Sequence, residues 1–354
     1  MFVFQMNCER PIIVNFDLSL ENLSNEIFKL ISPIRPDWNS SNTRLVRFSE
    51  GITNSITGLF DTRTGDDRST GLVIKLFGAH TELFIDRQAE FEAMIKLARE
   101  GVLSQKVLIE FNNGIIYEFA TGRACSREQV RTEHVAQLIA TKLAQLHSVS
   151  IENIEKPYVM TLCKKFIELI NQYQQSTQDF LFKQMKDLIN DVNVIEQEIL
   201  PKLVPNAEIG KDLVICHNDL LVKNLVYDDK HDKISFIDFE YTHLNYYLFD
   251  IANHFVEYAG VDDADFSLYP DRNEQKRWLK FYFQIRPIEN QSIDDDLCHR
   301  IDQFSALSHL MWGLWALLQS NISLIDFDYV QYAKLRLGCY YKLRPILFES
   351  IQQN

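Results

Sequence analysis

Residues 212–241 read DLVICHNDLLVKNLVYDDKHDKISFIDFEY and contain two short apolar runs that each lead to an acidic side chain. The first run leads into His217-Asn218-Asp219, and Asn224 follows five residues after the aspartate. The second run, residues 234–237, ends directly before Asp238. The pattern predicts a strand, a polar loop and a second strand, with Asp219 and Asn224 on the loop and Asp238 at the end of the second strand.

Phosphoryl transfer requires a set of side chains of this kind. One carboxylate orients the attacking hydroxyl and accepts its proton, while an Asn and a second carboxylate bind the Mg²⁺ that neutralises the phosphates. His217, two residues before Asp219, and the aromatic residue after Asp238 make the combination specific. On this segment alone a second interpretation stays open, namely two ordinary strands with polar turns, because Asp and Asn are common turn residues.

Length and composition restrict the class of protein. A chain of 354 residues is long enough for two lobes around one cleft, and its net charge of −13 argues against a general nucleic-acid-binding surface. None of the six cysteines forms a C-x-x-C pair, which favours free thiols in a reducing compartment. The N-terminus lacks a signal-peptide pattern, and the most apolar later window, residues 310–318, is too short to span a bilayer. We therefore expect a cytoplasmic protein without membrane insertion.

The chain changes character near residue 121. Before it, the pattern predicts strands over 44–60 and 71–77, a helix over 82–100, and a hairpin whose strands, 106–111 and 114–119, are joined by Asn112-Asn113-Gly114. After it, helical periodicity dominates, and helices are expected near 248–259, 273–284, 300–320 and 328–342. The predicted fold class is α+β, a bilobal protein-kinase-like fold. Residues 1–121 would form the N-terminal ATP-binding lobe, and residues 122–354 the larger, mainly helical catalytic and substrate-binding lobe.

Lys75 stands in an otherwise apolar predicted strand, LVIKLF. In kinase-like folds such a lysine bridges the phosphates of ATP and pairs with a helix glutamate. Glu90 is the favoured partner here, with Glu82 and Glu92 as competitors. A turn between two strand-like runs can offer backbone N–H groups and hydroxyls to phosphate oxygens, through Gly51, Thr53, Asn54 and Ser55. On its own this segment is equally read as a plain hairpin turn.

Later segments supply candidates for an acceptor site. Asp250 is placed to anchor the predicted catalytic loop by accepting its backbone N–H groups, and Glu257 follows seven residues later on the same helix face. Trp312 and Trp315 share a helix face, and Tyr332 follows. Aromatic faces with a carboxylate can hold an ammonium group. A solvated glutamate and an aromatic core stripe are the alternative interpretations.

These motifs together resemble those of the choline/ethanolamine kinase family, from about Arg44 to Tyr341. The segments that carry the resemblance are HNDLLVKN (217–224), DFEY (238–241), DIANHFVE (250–257) and WGLWALLQ (312–319). The ethanolamine branch is favoured by five features of the sequence. They are EGITN (50–54), TEL (81–83) with DR (86–87), FNNG (111–114), YEF (117–119) and VEYAG (256–260).

The resemblance implies transfer of the γ-phosphoryl group of ATP to the hydroxyl of ethanolamine, as the first step of the CDP-ethanolamine route to phosphatidylethanolamine. Asp219 would deprotonate the hydroxyl, Asn224 and Asp238 would bind Mg²⁺, and Lys75 with Glu90 would hold ATP beneath residues 51–55. The ammonium end would be surrounded by Tyr241, Glu257, Trp312, Trp315 and Tyr332. His217 would brace the catalytic loop without acting on the substrate, and the resemblance also allows a homodimer.

Three alternatives remain at this point. A choline or dual-specificity kinase would use the same residues, since choline depends on aromatic faces and charge alone. An aminoglycoside phosphotransferase shares the H-x-D-x-x-x-x-N motif, but Trp312 and Trp315 argue against this class of enzyme. A catalytically inactive nucleotide-binding scaffold is disfavoured by the intact Lys75, Asp219, Asn224 and Asp238. Asn218 in place of the Arg of H-R-D, and Glu240 in place of the Gly of D-F-G, depart from protein kinases without removing a metal ligand.

Overall fold

The N-terminal part of the chain is built around a mixed sheet. The computed structural model of the protein describes residues 10–48, 54–150, 156–173, 184–289 and 291–352. Within them, the sheet has the strand order β1-β5-β6-β4-β3-β2, in which β1 runs parallel to β5 and the other neighbours are antiparallel. Its strands are β1 (Ile12–Val14), β2 (Thr43–Phe48), β3 (Ser55–Asp61), β4 (Leu72–Leu76), β5 (Val107–Phe111) and β6 (Gly114–Glu118). Helix α1 (Leu23–Ile31) packs its apolar face with the buried residues of this sheet.

Strand β4 presents Lys75 from the middle of the sheet. All five of its residues are buried, and Lys75 itself is 1% exposed. On one side β4 pairs with β6, where a Cβ at Gly114 would lie 2.3 Å from the carbonyl oxygen of Lys75. Only glycine therefore allows this close approach. The Asn112-Asn113 dipeptide joins β5 to β6 in the expected hairpin.

Helix α2 (Arg87–Arg99) lies between β4 and β5 in the chain. It begins later than the predicted residue 82, because residues Thr81–Leu83 form a separate 3₁₀ turn. The Asp86 side chain then caps the helix by accepting the backbone N–H of Ala89 at 3.0 Å. This start places Glu90 in the first turn of α2, on its buried side.

The remainder of the chain is mainly helical and shares one large hydrophobic core with α2. Helix α10 (Asp295–Ile322) is buried along most of its length. It contacts α5 (Tyr158–Tyr173), α8 (Tyr247–Val256) and α11 (Tyr329–Gln352). The last helix runs ten residues beyond its predicted end at 342 and includes Pro345. The helices of this part are α3 (Arg127–Arg131), α4 (Glu133–His147), α5 (Tyr158–Tyr173), α6 (Met185–Val194), α7 (Leu200–Leu203), α8 (Tyr247–Val256), α9 (Arg272–Ile285), α10 (Asp295–Ile322) and α11 (Tyr329–Gln352). A π-helical turn, Ile195–Ile199, joins α6 to α7.

The predicted strand–loop–strand segment contains one strand more than the sequence pattern indicated. Its strands are β8 (Leu213–Cys216), β9 (Leu225–Asp228) and β10 (Lys233–Phe236), after a short β7 (Arg123–Ala124) and before β11 (His243–Tyr246). Strand β8 pairs with β11, and β10 pairs with β9, which the sequence pattern had not separated from the loop. The β9–β10 pairing continues as a hydrogen bond from Ile237 N to the carbonyl oxygen of Asn224, 3.0 Å long. This bond brings Asn224 next to the residue that precedes Asp238.

The α+β class is confirmed by this arrangement of a β-rich N-terminal part and a mainly helical C-terminal part. Of the helices in the described ranges, none combines the length and the apolar character that crossing a bilayer requires.

Candidate active site

A buried carboxylate, Asp250, holds the loop that follows β8. Its two oxygens accept the backbone N–H groups of His217 and Asn218, each at 2.8 Å, and one also contacts His147 Nε2 at 3.0 Å. Burial alone would raise the pKa of Asp250, but the His147 hydrogen bond and the loop donors lower it below its ordinary value. The anchoring contacts expected for Asp250 are therefore present. The contribution of His147, on α4, was not foreseen.

His217 and Asn218 fix the conformation of the same loop. The ring nitrogen Nε2 of His217 lies 3.0 Å from the carbonyl oxygen of Ile237, and burial lowers the pKa of His217, which favours the neutral ring that donates this bond. Asn218 has a left-handed backbone, φ 65°, and its amide nitrogen donates to the carbonyl oxygen of Tyr241 at 2.8 Å. Its amide oxygen accepts a hydrogen bond from Asn245. The loop is thus tied to the segment that follows β10 and to strand β11.

Asp219, Asn224 and Asp238 come together where these segments meet. Asn224 Nδ2 donates to the carbonyl oxygen of Asp219 at 2.8 Å. Burial raises the pKa of Asp219 well above its ordinary value, and the charges of Asp238 and Glu257 raise it further. Burial also raises the pKa of Asp238 to about 6, against the opposing effect of Lys75. Two acidic groups with raised pKa values on one cleft are typical of a functional site.

The oxygen atoms in this cluster fit a hard divalent cation. No described residue donates a hydrogen bond to Asn224 Oδ1 or to Asp238 Oδ2. Amide and carboxylate oxygens are the ligands that Mg²⁺ prefers. A second group, His147, Cys216 and Asp250, also has its ligand atoms within 4.8 Å of one another. It does not fit a hard cation, because the Asp250 oxygens already accept three hydrogen bonds and burial raises the pKa of the Cys216 thiol.

Lys75 crosses from the sheet to this cluster. Its Nζ lies 2.6 Å from Glu90 Oε1, 2.7 Å from Asp238 Oδ1 and 3.4 Å from Glu240 Oε2. Burial would lower the pKa of Lys75, but these three carboxylates raise it well above its ordinary value, so the lysine is charged. Of the three glutamates considered as helix partners of Lys75, namely Glu82, Glu90 and Glu92, it is Glu90 that pairs with the lysine.

Arg87 and Glu240 extend this network, and both roles were missed by sequence reasoning. Arg87 Nη1 donates to Glu90 Oε2 at 2.8 Å and to Glu240 Oε2 at 3.1 Å, while Nη2 donates to Asn54 Oδ1 at 2.9 Å. The Asn54 amide nitrogen donates to Glu240 Oε2 at 2.6 Å. The spacing of Arg87 and Glu90, three residues apart on a predicted helix, was the available signal.

The predicted phosphate-covering turn is only partly described. Gly51 and Thr53 lie outside the described residues. Asn54 is buried with its side chain engaged by Arg87 and Glu240, and Ser55 begins β3. The side chain of Asn54 therefore serves the ion-pair network.

The predicted aromatic residues form one connected cluster, in which Tyr329 and Phe327 link Trp315 to Tyr332. The ring of Trp312 lies edge-on to Tyr241 at 5.1 Å and to Trp315 at 5.6 Å between centroids. Phe327, which the sequence analysis did not select, packs on Tyr332 at 5.7 Å. The indole N–H of Trp312 donates to Asn253 Oδ1 at 2.9 Å, so this ring has a fixed orientation.

Glu257 reaches the same region from the 3₁₀ turn that follows α8. It is 3% exposed, so the interpretation as a solvated carboxylate is wrong. Its Oε1 accepts a hydrogen bond from Arg336 Nη1 at 2.6 Å, and Arg336 also contacts the hydroxyl of Tyr332 at 3.1 Å. Arg336 was missed, although its spacing of four residues from Tyr332 on one helix was a weak signal.

Comparison with known proteins agrees with this geometry. Residues 45–341 match the family model for choline/ethanolamine kinase. Ethanolamine kinase 1 of Mus musculus is 34% identical over 326 residues, which cover 89% of this chain and 88% of that protein. An ethanolamine kinase of Plasmodium vivax superposes with a TM-score of 0.74 at 26% identity, over 92% of this chain and 89% of that chain.

A choline kinase of Cryptosporidium parvum has the same fold, with a TM-score of 0.75 at 21% identity over 91% of this chain and 96% of that chain. The bilobal kinase-like fold expected from the sequence is thereby confirmed. The family match includes every segment on which the resemblance was based, from the lysine strand to the double-tryptophan helix. The chain belongs to the choline/ethanolamine kinase family.

Proposed function

We propose that this protein transfers the γ-phosphoryl group of ATP to the hydroxyl of ethanolamine and releases phosphoethanolamine. The observation that carries the proposal is the arrangement of one cleft. A lysine, two aspartates and an asparagine suited to phosphoryl transfer lie at one end, and an aromatic cluster with a buried glutamate lies at the other. Relatives named ethanolamine kinases, such as the mouse protein at 34% identity, support ethanolamine as the acceptor.

Asp219 is proposed as the base that orients the acceptor hydroxyl and takes its proton. Burial raises the pKa of Asp219, which makes this carboxylate a better proton acceptor than an exposed aspartate. An ammonium group beside Glu257 would offset the negative charge that raises this pKa. The substrate would thereby help to keep Asp219 ionised before the transfer.

Lys75, paired with Glu90, is proposed to hold the phosphates, and residues 51–55, including Gly51 and Thr53, to cover them. Asn224 and Asp238 would hold Mg²⁺, which supplies neutralisation of the phosphate charge when bound. Tyr241, Trp312, Trp315 and Tyr332 would pack around the ammonium group, with Glu257 as its counter-charge. His217 and Asp250 would keep the loop that carries Asp219 in place.

The finer assignments belong to the same proposal. Residues 1–121 would be the ATP-binding lobe and residues 122–354 the catalytic and substrate-binding lobe. Phosphoethanolamine would enter the CDP-ethanolamine route to phosphatidylethanolamine. The enzyme would work in the cytoplasm, and the family resemblance implies a homodimer.

The test is a Mg²⁺- and ATP-dependent assay with ethanolamine and choline titrated side by side. We expect a higher kcat/KM for ethanolamine, and a kcat lowered by about 10²–10⁴-fold in an Asp219→Asn variant that still binds ATP. A preference for choline would overturn the assignment of ethanolamine. Absence of transfer to both amines by a folded, ATP-binding protein would overturn the enzymatic proposal itself.

A further inference from the structure

A buried arginine connects the proposed ammonium site to neighbouring helices. The side chain of Arg336, on α11, is 1% exposed. Its Nη1 donates to Glu257 Oε1 at 2.6 Å and to the Tyr332 hydroxyl at 3.1 Å. Its Nη2 donates to Ser308 on α10, to the carbonyl oxygen at 3.3 Å and to Oγ at 3.1 Å. One guanidinium therefore fixes two of the predicted substrate residues, Glu257 and Tyr332.

The hydrogen bonds continue from Ser308 to the catalytic loop. Ser308 Oγ donates to Asn253 Oδ1 at 2.7 Å, and the same oxygen accepts the indole N–H of Trp312 at 2.9 Å. Asn253 Nδ2 donates to the carbonyl oxygen of Asn218 at 3.2 Å, one residue before Asp219. Ser308 and Asn253 are fully buried, so a change at Arg336 leaves polar groups without compensation by water.

The charges near this network suit one cation. Glu257 and the neighbouring catalytic carboxylate Asp219 bring negative charge to this region, and Arg336, paired with Glu257, brings one positive charge. A buried guanidinium beside a cation site would oppose binding if Glu257 did not neutralise it. Within the described residues Glu257 Oε1 is bound to Arg336, and no side chain or backbone group donates to Oε2. Glu257 is thus held with one oxygen available to an additional donor.

We propose that Arg336 is a positioning residue that sets selectivity for a primary ammonium over a trimethylammonium group. It does so by holding Glu257 Oε2 at a fixed place in the cleft, and this inference rests on the proposed amino-alcohol substrate. A primary ammonium donates three hydrogen bonds, whereas a trimethylammonium donates none. A fixed acceptor therefore favours the former, while the aromatic faces serve both groups.

The variants Arg336→Met and Arg336→Lys test this role. Arg336→Met should raise KM for ethanolamine about tenfold and change KM for choline less than about threefold, with KM for ATP unaltered. Arg336→Lys keeps the charge but cannot reach Glu257, Tyr332 and Ser308 together, so it should restore only part of the selectivity. Arg344→Met is the matched control. It removes an arginine of the same helix that pairs with Asp191, and it should leave selectivity unchanged.

Calorimetric titration of both amines into the wild type and the variants provides a readout without turnover. The proposal is overturned if Arg336→Met loses affinity for both amines equally, because that result would indicate a structural role alone. If Arg336→Met does not fold, the test falls to Arg336→Lys. The proposal is overturned if Arg336→Lys discriminates between ethanolamine and choline as well as the wild type does. A wild type that binds the amines but transfers no phosphoryl group would contradict the proposed function and leave the binding comparison decisive for Arg336. A wild type that binds neither amine would overturn both proposals.

Discussion

Replacing Arg87 with Met should lower the free energy of unfolding, because Arg87 belongs to the ion-pair network around Lys75. Arg87 contacts Glu90 and Glu240 with one nitrogen and Asn54 and Thr81 with the other, and its side chain is 15% exposed. Methionine keeps most of the apolar stem but removes all four hydrogen bonds. Of the two cations that contact Glu90 and Glu240 in the described residues, only Lys75 would then remain.

Breaking a buried ion pair by removing one partner typically costs 3–5 kcal/mol. Because Lys75 still lies near both glutamates, we expect the lower end of that range, about 3 kcal/mol. With an unfolding entropy of about 2.1 cal/mol/K per residue, this loss over 354 residues corresponds to a Tm lower by about 4 °C. Looser restraint of Glu90 should also raise KM for ATP, with little effect on KM for the amine.

The control is Arg63→Met. Arg63 also bridges two carboxylates, Asp37 and Asp61, but its side chain is 47% exposed. Ion pairs of this kind are screened by water, so the loss of stability should be much smaller than for Arg87→Met. Thermal and urea unfolding of both variants, with ATP kinetics, measures the difference. Equal destabilisation by the two substitutions, or a normal KM for ATP in Arg87→Met, would refute the reasoning.

Four further results are expected. Asp219→Asn should lower kcat by about 10²–10⁴-fold while amine binding persists, as measured by steady-state kinetics and calorimetry. Trp315→Leu should raise KM for ethanolamine and choline alike, by about 3- to 30-fold, if a cation–π contact is lost; an unchanged KM would show that the ring serves only packing. Asp250→Asn should lose the stability that the wild type has above the ordinary pKa of the carboxylate. Because folding lowers the pKa of Asp250, the wild type loses this contribution as the pH falls through the pKa of the folded protein. Urea unfolding between acidic and neutral pH should therefore show this fall in the free energy of unfolding only in the wild type. Gly114→Ala should destabilise the sheet and displace Lys75, since its Cβ would lie 2.3 Å from the Lys75 carbonyl oxygen; ATP titration and thermal unfolding would detect both effects.

The chemistry of the site could be predicted where it depends on residues close in sequence. Asp219, Asn224 and Asp238 were selected because their spacing follows one loop and two strands, and the structure brings them together. The pairing of β8 with β11 could not be foreseen, because alternation of apolar residues predicts a strand but not its partner. Likewise, three glutamates near α2 satisfied the pattern, and only the packing of α2 on the sheet selects Glu90.

Buried polar residues were the main omission. Arg336, Ser308 and Asn253 lie on three different helices and meet only through tertiary packing. In sequence, an arginine on a helix is normally an exposed residue, and the four-residue spacing from Tyr332 was too weak a signal to identify Arg336 as buried. Residues of this kind can be recognised only after the helices are assembled.

The ion cluster around Lys75 also has a consequence for the order in which ligands enter. It combines two cations, Lys75 and Arg87, with three carboxylates, Glu90, Asp238 and Glu240, so the site proposed for the nucleotide carries an excess of one negative charge when all are ionised. A naked triphosphate would meet repulsion there, whereas a triphosphate already neutralised by a divalent ion would meet much less. On the proposed function, this charge balance would favour entry of the metal–nucleotide complex over entry of the free nucleotide.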